Sequence, residues 1–136
     1  MRVFNNMQAI VSDWLNSRDE QTTFYEGDDP IVLKRQSGSL LLAAQLTSTC
    51  SDNTALQRWM RLGFVSLNHF QGALARKADN GALWLIQSLQ GEQREACVLV
   101  CLEALLNQRD TWRAACARFA HQPRNLRPTS LRSLSY

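Results

Sequence analysis

The sequence SLNHFQGALARKADNGALWLIQSLQGEQ, residues 66–93, contains two short apolar segments separated by a turn signal. Asn80-Gly81 in this stretch favours a tight β-turn of type I′, because that turn needs positive φ at both central residues. The flanking segments, residues 73–76 and 83–86, have the length of strands. After Gly91 the apolar spacing changes from two residues to about 3.6, which indicates that a helix begins. We therefore predict a β-hairpin followed by a helix.

Apolar spacing also predicts the elements on either side of this hairpin. Spacings of three and four indicate amphipathic helices, and short β-branched or aromatic runs between turn signals indicate strands. The last helix carries Val98, Leu105, Trp112 and Phe119 at intervals of seven. The predicted order is a helix at 3–17, strands at 22–25, 31–35 and 40–47, a helix from 49–52 onward, the hairpin, and a helix at 92–120. Helices packed on an antiparallel sheet in this order make an α+β fold.

The strand predicted at 40–47 starts with apolar residues on both of its faces. A strand that is buried on one side needs only one apolar face, because successive side chains alternate between the two faces. Two apolar faces indicate either helices on both sides of the sheet or a surface that binds a partner. The sequence leaves both interpretations open.

Length and charge describe one domain with a basic extension. The 136 residues carry a formal net charge of +3, but residues 1–110 hold 10 basic and 12 acidic side chains, whereas the remainder holds five arginines and no acid. We predict a single domain at 1–121 and a basic, disordered tail at 122–136. The arginines of the tail could contact phosphates, but the body is net acidic and has no recognition motif. Nucleic-acid binding is therefore the less favoured alternative.

The sequence contains no signal for a membrane, a cofactor, a metal or catalysis. No apolar run approaches the roughly 20 residues that span a bilayer, and the N-terminus lacks the pattern of a secretory signal, so we expect a cytoplasmic protein. No phosphate-binding, nucleophile or zinc motif is present, and we predict a protein that is not an enzyme and needs no cofactor. Cys97 and Cys101 are one helical turn apart but lack a second ligand pair, so we expect buried, apolar cysteines. The acidic residues Glu26, Asp28 and Asp29 are interpreted as a solvated turn.

Several segments together carry a family resemblance. They are Leu62 to Leu67 followed by Asn68, Gly72-Ala73-Leu74-Ala75, the Asp79-Asn80-Gly81 turn, Leu83-Trp84-Leu85, and the helix with Leu102-Glu103-Ala104-Leu105-Leu106 and Trp112. In order and spacing, these segments resemble the class I chaperones of bacterial type III secretion, the Tir-chaperone or CesT-like family, over roughly residues 3–120. Members of that family are commonly acidic, and the arginine-rich tail has no counterpart in the family pattern.

The resemblance implies a function and two binding surfaces. Such chaperones are usually homodimers that hold the N-terminal region of a secreted effector in an extended, export-competent form without ATP. The implied dimer interface comprises Leu56, Trp59, Met60, Gly63, Phe64, Phe70 and Leu74. The candidate client contacts are Met7, Trp14, Val32, Leu41 and Ala43, although each of these could equally be an ordinary core residue. A regulatory or adaptor protein of a secretion apparatus is the alternative with the same architecture.

Overall fold

Within the described residues, three helices and five strands follow one another in the predicted order, which confirms the α+β fold. The computed structural model describes residues 4–48, 53–65, 72–91 and 94–121. The predicted tail at 122–136 lies outside these ranges. The elements are α1 (Phe4–Asn16), β1 (Gln21–Glu26), β2 (Asp29–Gln36), β3 (Ser39–Gln45), α2 (Asn53–Val65), β4 (Ala73–Arg76), β5 (Leu83–Gln90) and α3 (Glu95–His121).

The five strands form one antiparallel sheet in the order β1-β2-β3-β5-β4. The first three strands are consecutive in the sequence and are joined by tight turns. Strand β5 then lies between β3 and β4, although β4 precedes it in the sequence. Within the described ranges, β1 and β4 are therefore the edge strands of the sheet.

The hydrophobic core lies between the sheet and the three helices, all of which pack on the same face of the sheet. Helix α3 packs against α1, β3 and β5, and α2 packs against α3 and β4. Residues spaced by seven on α3, namely Val98, Leu105 and Trp112, are buried in this core as predicted. We call this covered side of the sheet the inner face. Its fully buried strand residues include Ile31, Leu33, Leu42, Ala44 and Leu85.

The hairpin between β4 and β5 forms where the sequence predicted it. The Lys77 N–H donates to the carbonyl of Ala82 at 2.8 Å, and the Gly81 N–H donates to the carbonyl of Lys77 at 2.8 Å. Residues 78–81 thus form a four-residue loop that contains the predicted Asp79-Asn80-Gly81 turn. Gly81 has φ of 71°, and the Asn80 side-chain oxygen accepts a hydrogen bond from the Ala82 N–H at 2.9 Å. Asn-Gly is used here for its local hydrogen bond and for one left-handed residue.

Arg35 of β2 attaches the end of α1 to the sheet. Its guanidinium donates to the carbonyl of Trp14 at 3.0 Å, to that of Leu15 at 3.1 Å, and also to that of Asp19. The same group lies 4.4 Å from the centre of the Trp14 ring. Carbonyls at the end of a helix lack partners within the helix and form the negative end of its dipole. Arg35 therefore fixes where α1 ends on the sheet.

Candidate functional site

The sheet has a second face that no described helix covers, which we call the outer face. One row of paired residues crosses this face through all five strands: Thr23 pairs with Val32, Val32 with Ala43, Ala43 with Ile86, and Ile86 with Ala73. Four of these five side chains are apolar. Apolar residues of the neighbouring rows, Leu41, Trp84 and Ala75, extend the patch.

Most large side chains of the outer face are only partly shielded from solvent. Val32, Leu41, Trp84 and Ile86 are partly exposed, whereas Ala43 is short and is buried between larger side chains. On β3 and β5 these residues alternate with inner-face residues of the core. Strands β3 and β5 are therefore apolar on both faces, although the described helices cover only one face. This finding favours the interpretation that the second face binds a partner.

A groove of about 370 Å³ lies between α1 and the edge strand β1. Its apolar lining comes from Met7, Ala9 and Ile10 of α1 and from Phe24 and Tyr25 of β1. Tyr25 is among the most exposed large hydrophobic side chains that the structure describes. Within the described ranges no strand pairs with the free edge of β1, so backbone N–H and C=O groups border this groove.

The structure separates the five predicted client contacts into two groups. Val32, Leu41 and Ala43 lie together on the outer face. Met7 and Trp14 lie on the other side of the sheet, where they are only 6% and 3% exposed and belong to the core. Met7 also lines the α1–β1 groove. Trp14 instead packs beneath the Arg35 guanidinium.

Sequence reasoning missed Trp84 and Ile86, which complete the outer face on β5. The signal was present, because residues 83–86 are apolar at four successive positions, as residues 40–44 are at five. A strand of this kind presents one apolar pair to each face of the sheet. The four successive apolar residues at 83–86 therefore indicate a strand with two apolar faces, as those at 40–44 do.

A second apolar groove, of about 440 Å³, lies between α2 and β4. Three residues of the predicted dimer interface, Leu56, Met60 and Leu74, line it together with Trp112 of α3. Met60 is 58% exposed, which is unusual for a large apolar side chain. Trp59 is buried beneath the groove, and its ring stacks on that of Trp112 with centroids 6.5 Å apart.

The other predicted interface residues cannot be placed at the level of side chains. Gly63 and Phe64 lie within α2, but what surrounds these two residues lies outside the described part of the structure. Phe70 also lies outside the described residues. The structure thus brings together Leu56, Met60 and Leu74 at one groove, with Trp59 below it.

The acidic turn between β1 and β2 is tied to α3 by two arginines. Arg113 donates to both carboxylate oxygens of Asp29, at 2.8 and 3.0 Å, and also to the carbonyls of Gln45 and Leu46. The buried Arg109 pairs with Glu26. The prediction of a solvated turn was therefore wrong for Glu26 and Asp29, while Asp28 is exposed. The hydrogen bonds from Arg113 hold the pKa of the Asp29 carboxyl below its ordinary value.

Because the pKa of Asp29 is lowered in the fold, its ionised form contributes stability that is lost in acid. That contribution is complete above the unfolded pKa of about 3.9 and declines as the pH falls through the lower folded pKa. We expect Asp29→Asn to cost about 1–3 kcal/mol of unfolding free energy at pH 7. The difference in melting temperature between wild type and Asp29→Asn should become smaller as the pH falls from 4 to 2.5. Asp28→Asn, at the exposed neighbouring position, is the control. If this difference stayed constant over the range, the stabilising role of ionised Asp29 would be contradicted.

The cysteines and other potential metal ligands form no site within the described residues. Cys97 is exposed, and Cys101 and Cys116 are partly exposed, so the prediction of buried cysteines was wrong for Cys97; Cys50 lies outside the described ranges. No group of three or more histidine, cysteine, aspartate or glutamate side chains in these ranges could hold a metal.

Among the helices described, none has the length and apolar character that crossing a membrane requires.

Known structures with the same architecture include complexes of secretion proteins. The chain superimposes on the ExsC–ExsE complex with a TM-score of 0.60 at 13% identity, and on the HopA1–SchA chaperone–effector complex with 0.60 at 15%. Each match covers 82% of this chain and 94% of the other. The heterodimeric ExoU–SpcU complex from the type III secretion system of Pseudomonas aeruginosa matches with 0.54 at 16%, covering 78% and 93%. No protein-family model matches the chain, and no curated protein is significantly similar to it in sequence.

These similarities define the class of fold. The chain has the fold of the class I type III secretion chaperones, with three helices on one face of a five-stranded antiparallel sheet. The match extends over nearly the whole of each known chain, so it concerns the complete domain and not a shared fragment. The sequence resemblance is confirmed at the level of the fold.

Proposed function

We propose that this protein is a type III secretion chaperone of the bacterial cytoplasm that binds the N-terminal region of an effector. The observation that carries the proposal is the apolar outer face, which crosses all five strands and is uncovered in the described structure. Contiguous exposed apolar patches of this kind mark binding sites. The protein is proposed to act by binding and not by catalysis.

The geometry suits a client that is extended rather than folded. The outer face and the α1–β1 groove lie on opposite sides of the sheet and are connected around the edge strand β1. An extended client segment can place apolar side chains in both places while its backbone pairs with the free edge of β1. A globular client domain could reach one of these surfaces but not wrap around the edge.

Binding alone can keep such a segment unfolded. Each Val, Leu, Ile or Phe side chain that is buried contributes about 1.5–3 kcal/mol. A few such side chains on the chaperone offset the 5–15 kcal/mol that stabilise a typical folded domain. The equilibrium then favours the bound, extended form for as long as the complex lasts. No ATP is needed, because no step has to be driven against this equilibrium.

The proposal includes a homodimer formed through the α2–β4 groove. Two copies related by a two-fold axis would each present the same groove and the same exposed Met60 to the other, as an isologous interface requires. This groove lies at the β4 edge of the sheet, and β1 is the opposite edge. The dimer would therefore leave the β1 edge of each copy accessible to a client.

Co-purification with an effector tests the proposal and the outer face together. We expect effectors encoded beside this protein's gene to form a stable complex that requires their N-terminal region. Ile86→Asp should abolish the complex, because it places a carboxylate in the middle of the apolar row. Val100→Asp, at an exposed position of α3 that lines neither groove, is the matched control and should bind normally.

Two outcomes would contradict the proposal. One is a complex that depends on the folded C-terminal part of the effector, and the other is full binding by Ile86→Asp. Removal of residues 122–136 should leave the complex intact. If that removal instead abolished a salt-sensitive retention of nucleic acid, the nucleic-acid alternative would be favoured.

A further inference from the structure

Gln108 of α3 forms an unusual contact with the start of β4. Its side chain is only 1% exposed, and both ends of its carboxamide are used. The Nε2 group donates to the carbonyl of Gly72 at 2.9 Å, and Oε1 accepts from the N–H of the same residue at 2.9 Å. A side chain thus makes the pair of hydrogen bonds that a neighbouring strand would make with a backbone residue.

Gly72 allows this contact because it has no side chain. A Cβ at this position would lie 2.5 Å from Oε1 of Gln108 and 2.6 Å from Cδ1 of Leu105. Both distances are shorter than van der Waals contact, so a larger residue would displace the Gln108 and Leu105 side chains or push the chain away from α3. The close approach and the two hydrogen bonds therefore fix residue 72 against α3 at one distance and in one orientation.

Residue 72 is where the chain enters β4, and β4 forms one wall of the α2–β4 groove. Gly72, Ala73, Leu74, Ala75 and Arg76 all line that groove, whereas Gln108 does not. Strand β4 has only four residues, and within the described ranges it pairs with β5 alone, so its own ladder holds it weakly. The contact from α3 is an additional attachment at the entry to the strand.

We propose that Gln108 is the positioning residue that sets β4 for dimer formation, although it does not touch the partner. The expected effect on dimerisation rests on the dimer proposed above. The effect of Gln108 on the position of β4 can be tested without a dimer. Loss of the two hydrogen bonds would let the start of β4 move relative to α2. The two walls of the groove would then no longer match a second copy.

Gln108→Glu separates this role from simple stabilisation. A neutral carboxyl group can replace both carboxamide contacts, because its O–H donates to the Gly72 carbonyl and its other oxygen accepts from the Gly72 N–H. A carboxylate cannot donate, and it would face the carbonyl oxygen in a buried site. The wild-type contact involves a carboxamide and two backbone groups, none of which titrates. The variant, but not wild type, should therefore acquire a pH dependence at this contact.

The experiment measures amide hydrogen exchange of residues 73–76 and the dimer dissociation constant at pH 5 and pH 8. In Gln108→Glu at pH 8 we expect exchange at these amides to be about tenfold faster than in wild type, and dimerisation to be about tenfold weaker. Both should return toward wild type at pH 5. Gln108→Met, which has no hydrogen bonds but a similar size, should show the defect at both pH values. Leu33→Val, in β2, which β3 and β5 separate from β4, controls for general loss of stability.

The results distinguish this proposal from the proposed dimer. Exchange at residues 73–76 that was unaffected in Gln108→Met and at both pH values in Gln108→Glu would overturn the positioning role. Faster exchange with unchanged dimerisation would overturn the link from β4 to the interface. A wild-type protein that stayed monomeric would overturn the dimer itself, and with it that link, while the exchange data would still decide whether Gln108 positions β4.

Discussion

Met60→Asp is expected to convert the proposed dimer into a folded monomer. Met60 is exposed in the single chain, so its replacement should leave folding unaffected. In a two-fold interface one substitution introduces two carboxylates, one from each copy, into a surface that must lose its water. Uncompensated buried charges cost several kcal/mol, which corresponds to a loss of more than about 100-fold in affinity. Size-exclusion chromatography with light scattering over a range of concentrations measures this loss.

Val100→Asp provides a matched control for Met60→Asp. Val100 on α3 is 69% exposed and lines neither apolar groove, so it is an equally exposed apolar residue at another place. It should leave the dimer intact. A dimer that survived Met60→Asp but dissociated in Val100→Asp would move the interface from the α2–β4 groove to α3.

Trp112→Ala is expected to cause the largest loss of stability. Trp112 is 2% exposed, stacks on Trp59 and forms the floor of the α2–β4 groove, so it joins α2 to α3. Truncating a buried tryptophan to alanine costs about 3–5 kcal/mol, since it removes apolar contacts and leaves a cavity. Urea denaturation should show this loss as a lower midpoint with a similar slope.

Trp112→Phe tests whether the stacked ring is the cause. A phenylalanine at this position keeps an aromatic contact with Trp59 and fills most of the space, so it should recover a large part of the lost stability. An alanine variant that lost less than about 1 kcal/mol would show that α2 and α3 are held together mainly by other contacts.

The fold could be predicted to a large extent, because periodicity reports directly on burial. The intervals of seven on α3 placed Val98, Leu105 and Trp112 in the core, where the structure has them. The apolar residues on both faces of the strand at 40–47 indicated either helices on both sides of the sheet or a surface that binds a partner. The hairpin was also located correctly, because turn residues act within a few positions of themselves.

Contacts between distant segments could not be predicted in the same way. Arg113 and Asp29 pair through the exact placement of α3 over the β1–β2 turn, which no local pattern encodes. The same limit applies to Met7 and Trp14, since an amphipathic helix reveals that one side is apolar but not what will cover it. Gln108 gave no signal for the same reason, because its two partners are backbone atoms of a distant glycine.

The position of β5 between β3 and β4 has a consequence for how the chain folds. Strands β1, β2 and β3 can form a meander as soon as they are made, but Ser39 of β3 pairs with Gln90 of β5. One edge of the most apolar strand therefore stays open until α2, β4 and β5 have all been synthesised. Such non-local pairing is slow, and an open apolar edge is prone to aggregation. Nascent chains that stall before residue 90 should therefore be the species that most needs protection in the cell.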